Sequence, residues 1–465
     1  MAKAPGNKRI WNITDGFKGD KIILMVALLL MLISIIAVFS STTLLANQGG
    51  DRVSIVKDQL IAVVLGLGVM AGCYYGVKRT GVFRFFSQFG FIIALVLLVI
   101  LVFHIPNPVF TFPKKEAARR ALEFHGKQIH VLEVVKVFMV MYVAWAVSKF
   151  KEGKFTFFKK FADSNPSFRF LGTDAFQEIF YIFLPMAITT GLVVRGSNSA
   201  AILICGVMLV MCLLGGIKIK HLGIYVAFLA IGAGAMLLLH VLRDGSNENN
   251  QSRTGTLISR ISNSDSDNLE KLYEARPKSA AFYAAMDKLK QPISAKFAIK
   301  EGGLLGKFVG GSSQKYVTAA IYEDYMYSFI VEETGLIGAL VIIILYMSLL
   351  ARGVMIVKDC GENLFAKLSV AGLILMICSQ AMLHMAVNVH LPLMPQTGQT
   401  LPMISHGSSA LLMFSLAFGI ILSISRNVWV KMQKREADAA PIIERSDDVQ
   451  AGLDELEQLE TQSDE

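Results

Sequence analysis

Residues 21–43 read KIILMVALLLMLISIIAVFSSTT, and this run carries no charged residue after Lys21. A bilayer core of about 30 Å is crossed by roughly 20 helical residues, so the run is predicted to be a transmembrane helix. Nine further apolar runs follow, at about 57–76, 87–104, 131–148, 176–194, 200–216, 222–242, 325–350, 366–387 and 408–425. The sequence therefore predicts an all-α polytopic membrane protein with about ten transmembrane helices.

Composition supports a membrane protein and argues against a soluble enzyme. Of the 465 residues, 54% are hydrophobic and 17% are charged, whereas soluble domains are about a quarter charged. The five cysteines show neither CxxC nor metal-ligand spacing, which argues against a disulfide framework. The polar residues 1–20 lack the apolar core of a cleavable signal peptide, so the first apolar run is expected to direct insertion.

The basic residues predict the orientation of the chain. Lysine and arginine concentrate in the connections that lie inside if the N-terminus is cytoplasmic. Ten spans then return the C-terminus to the same side. The predicted domains are a cytoplasmic segment 1–20, a membrane domain 21–425 and an acidic tail 426–465. The tail carries 11 acidic residues and one basic residue from Glu436 onward, and it is expected to be disordered and cytoplasmic.

Two outer segments break the pattern of short connections. The first is a large extracytoplasmic loop, 243–324, between the seventh and eighth spans; its part 269–291 has helical periodicity. The second is NVHLPLMPQTGQTLPMISHGSS at 388–409, whose three prolines disfavour a plain spanning helix. Non-helical backbone at this depth is tolerated where it is buried in protein or lines a wet cavity. Function is therefore expected on the outer side.

The outer loop 104–130 is basic although it lies outside. Either it binds an anion such as a diphosphate or it is an ordinary solvated loop, and the residues leave both readings open. Its cations are Lys114, Lys115, Arg119, Arg120 and Lys127.

Three further sites carry charge near the predicted spans. Glu133 and Lys136 have the i, i+3 spacing of a pair on one helix face, which fits a ligand site or an internal ion pair. Asp324 precedes an apolar helix, where it fits a general base or a favourable helix N-terminus. Glu332 and Glu333 lie deeper and are expected to be internal hydrogen-bond partners.

Because no P-loop, zinc spacing or GxSxG motif occurs, ATP binding, a zinc site and serine hydrolysis are not expected.

Four segments resemble the SEDS family of cell-wall proteins (FtsW, RodA and SpoVE). They are AARRALEFHGKQIHVLEVVK (117–136), GGLLGKFVGGSSQK (302–315), YEDYMYSFIVEETGLIG (322–338) and NVHLPLMPQTGQTLPMISHGSSALL (388–412), together with the turn GGIKIKHL (215–222). The likeness covers about 20–430, and GGSSQK and the tail are more similar to the division members.

The resemblance implies polymerisation of glycan strands from lipid II on the outer face. In that family pattern Asp324 would be the general base, and Glu133 and Lys136 would bind substrate. Arg119, Arg120 and Lys114 would hold the pyrophosphate, with Lys296 as a further cation and Ser405 and Ser409 from the last motif as further contacts. A divalent cation such as Mg²⁺ or Mn²⁺ is left open, and no metal-ligand set is expected.

The chain departs from the family pattern at several positions. Tyr322 and Glu323 replace His-Thr before the aspartate, and His406 replaces the tyrosine of Ser-Tyr-Gly-Gly-Ser-Ser. Ala117 and Ala121 replace the glycine and tryptophan of Gly-Ala-Arg-Arg-Trp. These departures affect substrate contacts more than the fold.

Together these features predict an inner-membrane peptidoglycan glycosyltransferase of septal cell-wall synthesis. Its expected partners are lipid II, a class B penicillin-binding transpeptidase, other divisome proteins and membrane lipids, and no nucleic acid. One alternative is a flippase for the lipid-linked precursor, which would need ionisable groups along a path through the membrane. Another is a non-catalytic divisome scaffold, in which Asp324 would be replaceable without loss.

Overall fold

The computed structural model of the protein describes residues 17–42, 52–112, 120–124, 127–164, 166–244, 276, 279–317, 321–391 and 397–463. Within these ranges the α-helices are Lys21–Ser41 (α1), Arg52–Gly76 (α2), Thr80–Phe103 (α3), Val131–Lys151 (α4), Phe157–Ser164 (α5), Asp174–Glu178 (α6), Leu184–Val194 (α7), Asn198–Leu214 (α8), Ile219–Asp244 (α9), Ala280–Gly302 (α10), Met326–Asp359 (α11), Leu364–Asn388 (α12) and Ser408–Ser463 (α13). A π-helical turn, Ile179–Phe183, joins α6 to α7, and 3-10 turns lie at Pro166–Gly172 and Gln314–Tyr316.

The predicted all-helical membrane fold is confirmed. Within the described ranges, eight helices are long and apolar enough to cross a membrane: α1, α2, α3, α4, the continuous α6–α7 unit, α11, α12 and the part Ser408–Arg435 of α13. The sixth and seventh predicted spans are shorter apolar helices, α8 and the part Ile219–Gly232 of α9. Helix α8 has 17 residues because the Ser197 side chain caps its start and Gly215 ends it.

Two spans begin earlier than their hydropathy indicates. Helix α2 begins at Arg52 rather than near 57, and α3 begins at Thr80 rather than near 87. Charged residues such as Lys57 and Arg84 end an apolar run, but their side chains are compatible with helical backbone. Hydropathy therefore marks the apolar part of each helix and not its ends.

A β-hairpin in the loop 104–130, which the sequence places on the outer side, departs from the all-α prediction. Strands Ala121–Phe124 (β1) and Lys127–His130 (β2) pair antiparallel, with Ala121 opposite His130. Thr111 extends the pairing through two backbone hydrogen bonds with Glu123 of 2.9 and 2.8 Å. The strands read ALEF and KQIH, which do not alternate apolar and polar residues, so no period-2 pattern identifies them in the sequence. The hairpin ends at His130, which is also the N-cap position of α4.

Helix α4 forms the centre of the bundle. It packs against α3, α8, α12 and α13, and most of its side chains are buried. The helices α2 and α3 instead expose many large apolar side chains, as expected of helices that face lipid. Because α4 directly follows the hairpin, its first two turns carry Glu133 and Lys136 at the end of the bundle where the hairpin lies.

The segment between α12 and α13 is non-helical where the structure describes it, as its prolines predict. Leu401, Met403, Ile404 and Ser405 are buried, and two carbonyl groups of this stretch accept hydrogen bonds from side chains of the surrounding helices. Tyr346 Oη donates to the Pro402 carbonyl at 2.5 Å, and Ser34 Oγ donates to the Ile404 carbonyl at 2.8 Å. Residues 392–396 of this segment lie outside the described ranges.

The glycine-rich loop after α10 is fastened to α11 by two buried glutamates. Glu332 accepts from Ser312 Oγ at 2.5 Å and from the Ser313 backbone N–H at 2.8 Å. Glu333 accepts from Ser40 Oγ at 2.6 Å and from the Gly310 backbone N–H at 2.9 Å. The prediction that these two carboxylates are internal hydrogen-bond partners is confirmed.

Glycine is required where this loop crosses α11. Gly335 has φ 70°, and a Cβ there would lie 2.3 Å from the Leu304 carbonyl oxygen. The backbone N–H of Leu336 donates to the Gly303 carbonyl at 3.0 Å across the same crossing. The close approach of two backbones, rather than phosphate binding, explains this part of the glycine-rich sequence.

Two parts of the observed structure differ in detail from the predicted organisation. Helix α10 covers Ala280–Gly302, later than the predicted helical part 269–291, of which 269–275 lies outside the described ranges. Helix α13 continues to Ser463, whereas the tail 426–465 is predicted to be disordered. Alanine, glutamate, leucine and glutamine make up 17 of the 40 residues of this tail, and all four favour helix without tertiary contacts.

Candidate active site

A polar cavity of about 150 Å³ lies at the end of the bundle that carries the hairpin. Its walls come from the hairpin and the start of α4, the α7–α8 turn, the approach to α11 and the segment between α12 and α13. The residues that line this polar cavity are Arg120, His130, Leu132, Glu133, Ser197, Ala200, Glu323, Asp324, Gly398, Gln399, Thr400, His406, Gly407 and Ala410. Three predicted site residues, Arg120, Glu133 and Asp324, are thereby brought together.

Arg120 and Asp324 meet at Gly398. A Cβ built on Gly398 would lie 3.1 Å from Arg120 Nη1 and 3.2 Å from each carboxylate oxygen of Asp324. The missing side chain at Gly398 thus leaves room for a guanidinium and a carboxylate side by side. Such an arrangement can hold an anionic group beside a proton acceptor.

Replacing Gly398 by alanine is expected to lower the turnover of this site roughly 10- to 100-fold, because the added methyl group displaces Arg120 or Asp324. The backbone of Gly398 is not in the left-handed region, so the substitution should leave the fold intact. Turnover by purified protein, together with its melting temperature, measures both effects. Gly68→Ala is the matched control, because a Cβ there meets nothing within 4 Å. Equal turnover in Gly398→Ala and Gly68→Ala would contradict the interpretation that Arg120 and Asp324 act together beside Gly398.

The backbone that carries Asp324 is held from α12 and from the segment after it. Asn388 Nδ2 donates to the Asp324 carbonyl at 3.1 Å, and Asn388 Oδ1 accepts from the Ser328 N–H at 3.0 Å. Ser405 Oγ donates to the Glu323 carbonyl at 2.8 Å. These bonds satisfy backbone groups just before α11 and fix the point from which the carboxylate projects.

Lys136 is buried directly behind the polar cavity, and its ammonium group donates to three oxygen acceptors. Its Nζ donates to Glu133 Oε1 and to Gln380 Oε1, each at 2.6 Å, and to Gln399 Oε1 at 3.4 Å. The side chain of Lys136 is 2% exposed, whereas that of Glu133 is 12% exposed. The cation therefore anchors one acid and two amides that line or support the polar cavity.

His384 ties α12 to the same segment. Its Nδ1 lies 2.6 Å from the Gln399 carbonyl oxygen, and its Nε2 lies 3.4 Å from the Tyr327 backbone nitrogen. A proton on Nδ1 satisfies both contacts, because Nε2 can then accept from the backbone N–H. The carbonyl of Gln399 is thereby fixed while its side chain reaches Lys136.

The remaining predicted site residues lie elsewhere. Ser409 accepts from the His130 backbone N–H at 3.0 Å, and Ser405 accepts from the Leu401 N–H at 2.9 Å, so both brace the wall rather than line it. Lys296 is exposed on α10 and does not line the polar cavity, so its role as a further cation stays a prediction. Lys114 and Arg119 lie outside the described residues.

Sequence reasoning missed several polar residues of the site. Gly398, Gln399 and Thr400 belong to the proline-rich segment, but their individual roles depend on where the chain folds back. Gln380 and Asn388 lie on an apolar helix, and an amide on such a helix is the signal that could have found them.

Among the described residues, no group of three or more His, Cys, Asp or Glu side chains is arranged to hold a metal ion.

Comparison with known proteins identifies relatives along most of the chain. Residues 20–429 match the cell cycle protein family FTSW_RODA_SPOVE. The probable peptidoglycan glycosyltransferase FtsW of Geobacter sulfurreducens is 26% identical over 418 residues, which cover 89% of this chain and 97% of the relative. Stage V sporulation protein E of Bacillus subtilis is 35% identical over 137 residues, which cover 29% of this chain and 37% of the relative.

Solved structures of similar fold have lower identity. RodA of Thermus thermophilus is 17% identical at a TM-score of 0.53, with 89% of this chain and 98% of RodA covered. A chain of a peptidoglycan synthase complex that coordinates polymerization and crosslinking is 18% identical at a TM-score of 0.57, with 88% and 98% covered. These two likenesses concern the fold.

Proposed function

Since this chain belongs to the cell cycle protein family of FtsW, RodA and SpoVE, we propose that it is a peptidoglycan glycosyltransferase that polymerises lipid II. The observation that carries the proposal is the meeting of Arg120 and Asp324 at Gly398 in a polar cavity at one end of the bundle. The curated relative that matches over 418 residues is named a probable peptidoglycan glycosyltransferase, which is the same activity.

In the proposed reaction, Asp324 accepts the proton of the acceptor sugar hydroxyl. The hydroxyl oxygen forms a bond to the anomeric carbon of the donor while the bond from that carbon to the diphosphate breaks. The electron pair of the broken bond leaves with undecaprenyl pyrophosphate. Arg120 stabilises the negative charge that develops on the leaving diphosphate, because its guanidinium can donate two hydrogen bonds to one phosphate.

Glu133 and Lys136 contribute to substrate binding in this proposal. Because Lys136 binds Glu133, Gln380 and Gln399 at once, it keeps the wall beside Arg120 in one arrangement. A prearranged polar wall lowers the reorganisation needed in the transition state. Arg119 and Lys114 are proposed as additional diphosphate contacts from the basic outer loop.

The proposed role is septal rather than in elongation. The relatives that match over 418 or 419 residues are named FtsW. MrdB of Escherichia coli matches over 136 residues at 33% identity. Depletion of a septal enzyme should give long undivided cells, whereas depletion of an elongation enzyme should give round ones. The proposal includes an inner-membrane location with both termini cytoplasmic.

A membrane-anchored class B transpeptidase is the proposed partner, together with other divisome proteins. The solved chain of similar fold belongs to a peptidoglycan synthase complex, in which polymerization and crosslinking are coordinated. A new glycan strand is cross-linked into the wall after it is formed, so a transpeptidase that works beside the polymerase suits this proposal.

The test is polymerisation of lipid II by the purified protein, with and without the candidate transpeptidase. Glycan strands separated by gel electrophoresis are expected at least with the partner. Movement of fluorescent lipid II across proteoliposomes without strand formation would instead support the flippase. Neither activity, from folded protein under both conditions, would favour a scaffold.

A further inference from the structure

Two positions at which this chain departs from the SEDS pattern contact each other in the wall of the polar cavity. His406 Nδ1 lies 3.7 Å from Glu323 Oε1, and both side chains line the polar cavity beside Asp324. The His406 ring also meets the Tyr322 ring edge-on, with 5.5 Å between centroids. The family pattern has neutral side chains at positions 323 and 406, so this chain adds a titratable pair.

The backbone holds this pair in place. The His406 backbone N–H donates to the Tyr322 carbonyl at 2.9 Å, which joins the α12–α13 segment to the approach to α11. The Glu323 side chain is 46% exposed, so its carboxylate can rotate within the polar cavity. The separation of 3.7 Å is about 1 Å longer than a charge-assisted hydrogen bond. A small rotation of Glu323 therefore closes the contact.

Both ring nitrogens of His406 are shielded from solvent, and neither has a hydrogen-bond partner within the described part of the chain. A buried imidazole nitrogen that has no hydrogen-bond partner makes the folded protein less stable than one that has a partner. Glu323 is the acid within 4 Å of this ring among the described residues. The ring is thus arranged to use Glu323 as its counter-ion when it carries a second proton.

The charges around this pair explain why such a counter-ion matters. Three carboxylates line the polar cavity. Glu133 is paired with Lys136 at 2.6 Å, and Asp324 borders Gly398 together with Arg120. Glu323 faces His406, whose ring is a cation only when both of its nitrogens carry protons. Burial and the nearby carboxylates of Glu323 and Asp324 raise the pKa of Tyr322, so Tyr322 stays neutral and adds no charge here.

We propose that His406 and Glu323 form a charge pair that sets the affinity of the polar cavity for a diphosphate-bearing substrate. This inference rests on the proposed function. Protonated His406 cancels the charge of Glu323, and the polar cavity then accepts an anion beside Arg120. Neutral His406 leaves Glu323 uncompensated, and its carboxylate repels the diphosphate. The pair determines binding, whereas Asp324 determines the chemical step.

The KM for lipid II should be low when His406 is protonated and compensates Glu323, and high when His406 is neutral, so the KM should rise with pH. The turnover number depends on Asp324 and not on this pair. His130 is a second imidazole in the polar cavity, but its effect on KM would not depend on Glu323.

The experiment compares wild type, Glu323→Gln, His406→Gln and the double variant at about pH 6 and pH 8.5. Initial rates over a range of lipid II concentrations separate KM from kcat. Wild type should show a KM about fivefold higher at the alkaline pH, and His406→Gln a high KM at both. Glu323→Gln and the double variant should show a low KM at both. Glu362→Gln, whose carboxylate lines a separate cavity, is the matched control.

Three results would overturn the proposal. They are a KM in Glu323→Gln that depends on pH as strongly as in wild type, a KM in His406→Gln as low as that of wild type at pH 6, and a double variant as poor as His406→Gln alone. If His406→Gln does not fold, Glu323→Gln decides, because it must remove the part of the pH dependence that the pair contributes. If wild type makes no glycan at any pH, the proposed function fails by itself. The dissociation constant of lipid II, measured on Asp324→Asn without turnover, still tests the pair.

Discussion

Asp324→Asn is expected to abolish glycan polymerisation while leaving the protein folded. An amide cannot take up the proton of the acceptor hydroxyl, and general-base catalysis contributes roughly 10²- to 10⁴-fold to a rate. Asparagine has nearly the same size, so it still fits against Gly398. The hydrogen bond from Asn388 reaches the backbone carbonyl of residue 324 and is not altered. Loss of activity would therefore report on the carboxylate itself.

Strand formation from lipid II, with and without the partner, measures this effect. The melting temperature and size-exclusion profile of the variant should match those of wild type. Asp359→Asn is the matched control, because that carboxylate lines a separate cavity with Thr80 and Lys431 and should leave the rate unchanged. Glycan strands of normal yield from Asp324→Asn would remove this residue from the catalytic role.

Lys136→Met is expected to have the second-largest effect, on stability as well as on activity. Methionine fills a similar volume but leaves Glu133 without its cation and the oxygens of Gln380 and Gln399 without their shared donor. Removing one partner of a buried pair costs about 3–5 kcal/mol, because the other charge stays buried. The free energy of unfolding in detergent should fall by about that amount, and lipid II polymerisation should be lost.

The double variant Lys136→Met with Glu133→Gln tests the cause. It removes both charges, so most of the lost stability should return, since a buried pair often costs as much in desolvation as it gains. Thermal unfolding of the single and double variants provides the comparison. If the double variant is as unstable as Lys136→Met alone, the lysine acts by packing and not as the counter-ion of Glu133.

Much of the fold follows from local patterns in the sequence. Each of the ten apolar runs corresponds to a helix, because hydropathy over about 20 residues depends on the residues of that run alone. The three prolines of 388–409 correctly predict that this segment is not a plain spanning helix. Glu332 and Glu333 are correctly predicted as internal partners, because two carboxylates in an apolar helix must find donors.

The candidate site was predictable where a residue type is costly in its local setting. Glu133, Lys136 and Asp324 are charges beside apolar helices, and Arg120 is a cation in a loop predicted to lie outside, so each could be singled out by itself. The hairpin before α4 was not predictable, because neither of its strands alternates apolar and polar residues. Gly398 could not be recognised as the meeting point of Arg120 and Asp324, because glycine gives no chemical signal of its own.

The sequence by itself determined the membrane class, the approximate helices and the charged residues that need a partner. These properties depend on hydrophobicity and charge within a short stretch, and both are encoded locally. Only the tertiary structure decided which of those residues meet. Residues 120, 324 and 398 are far apart in the chain, and the packing of α4, α11, α12 and α13 around one cavity brings them together. Such contacts follow from the packing of whole helices, which no local pattern specifies.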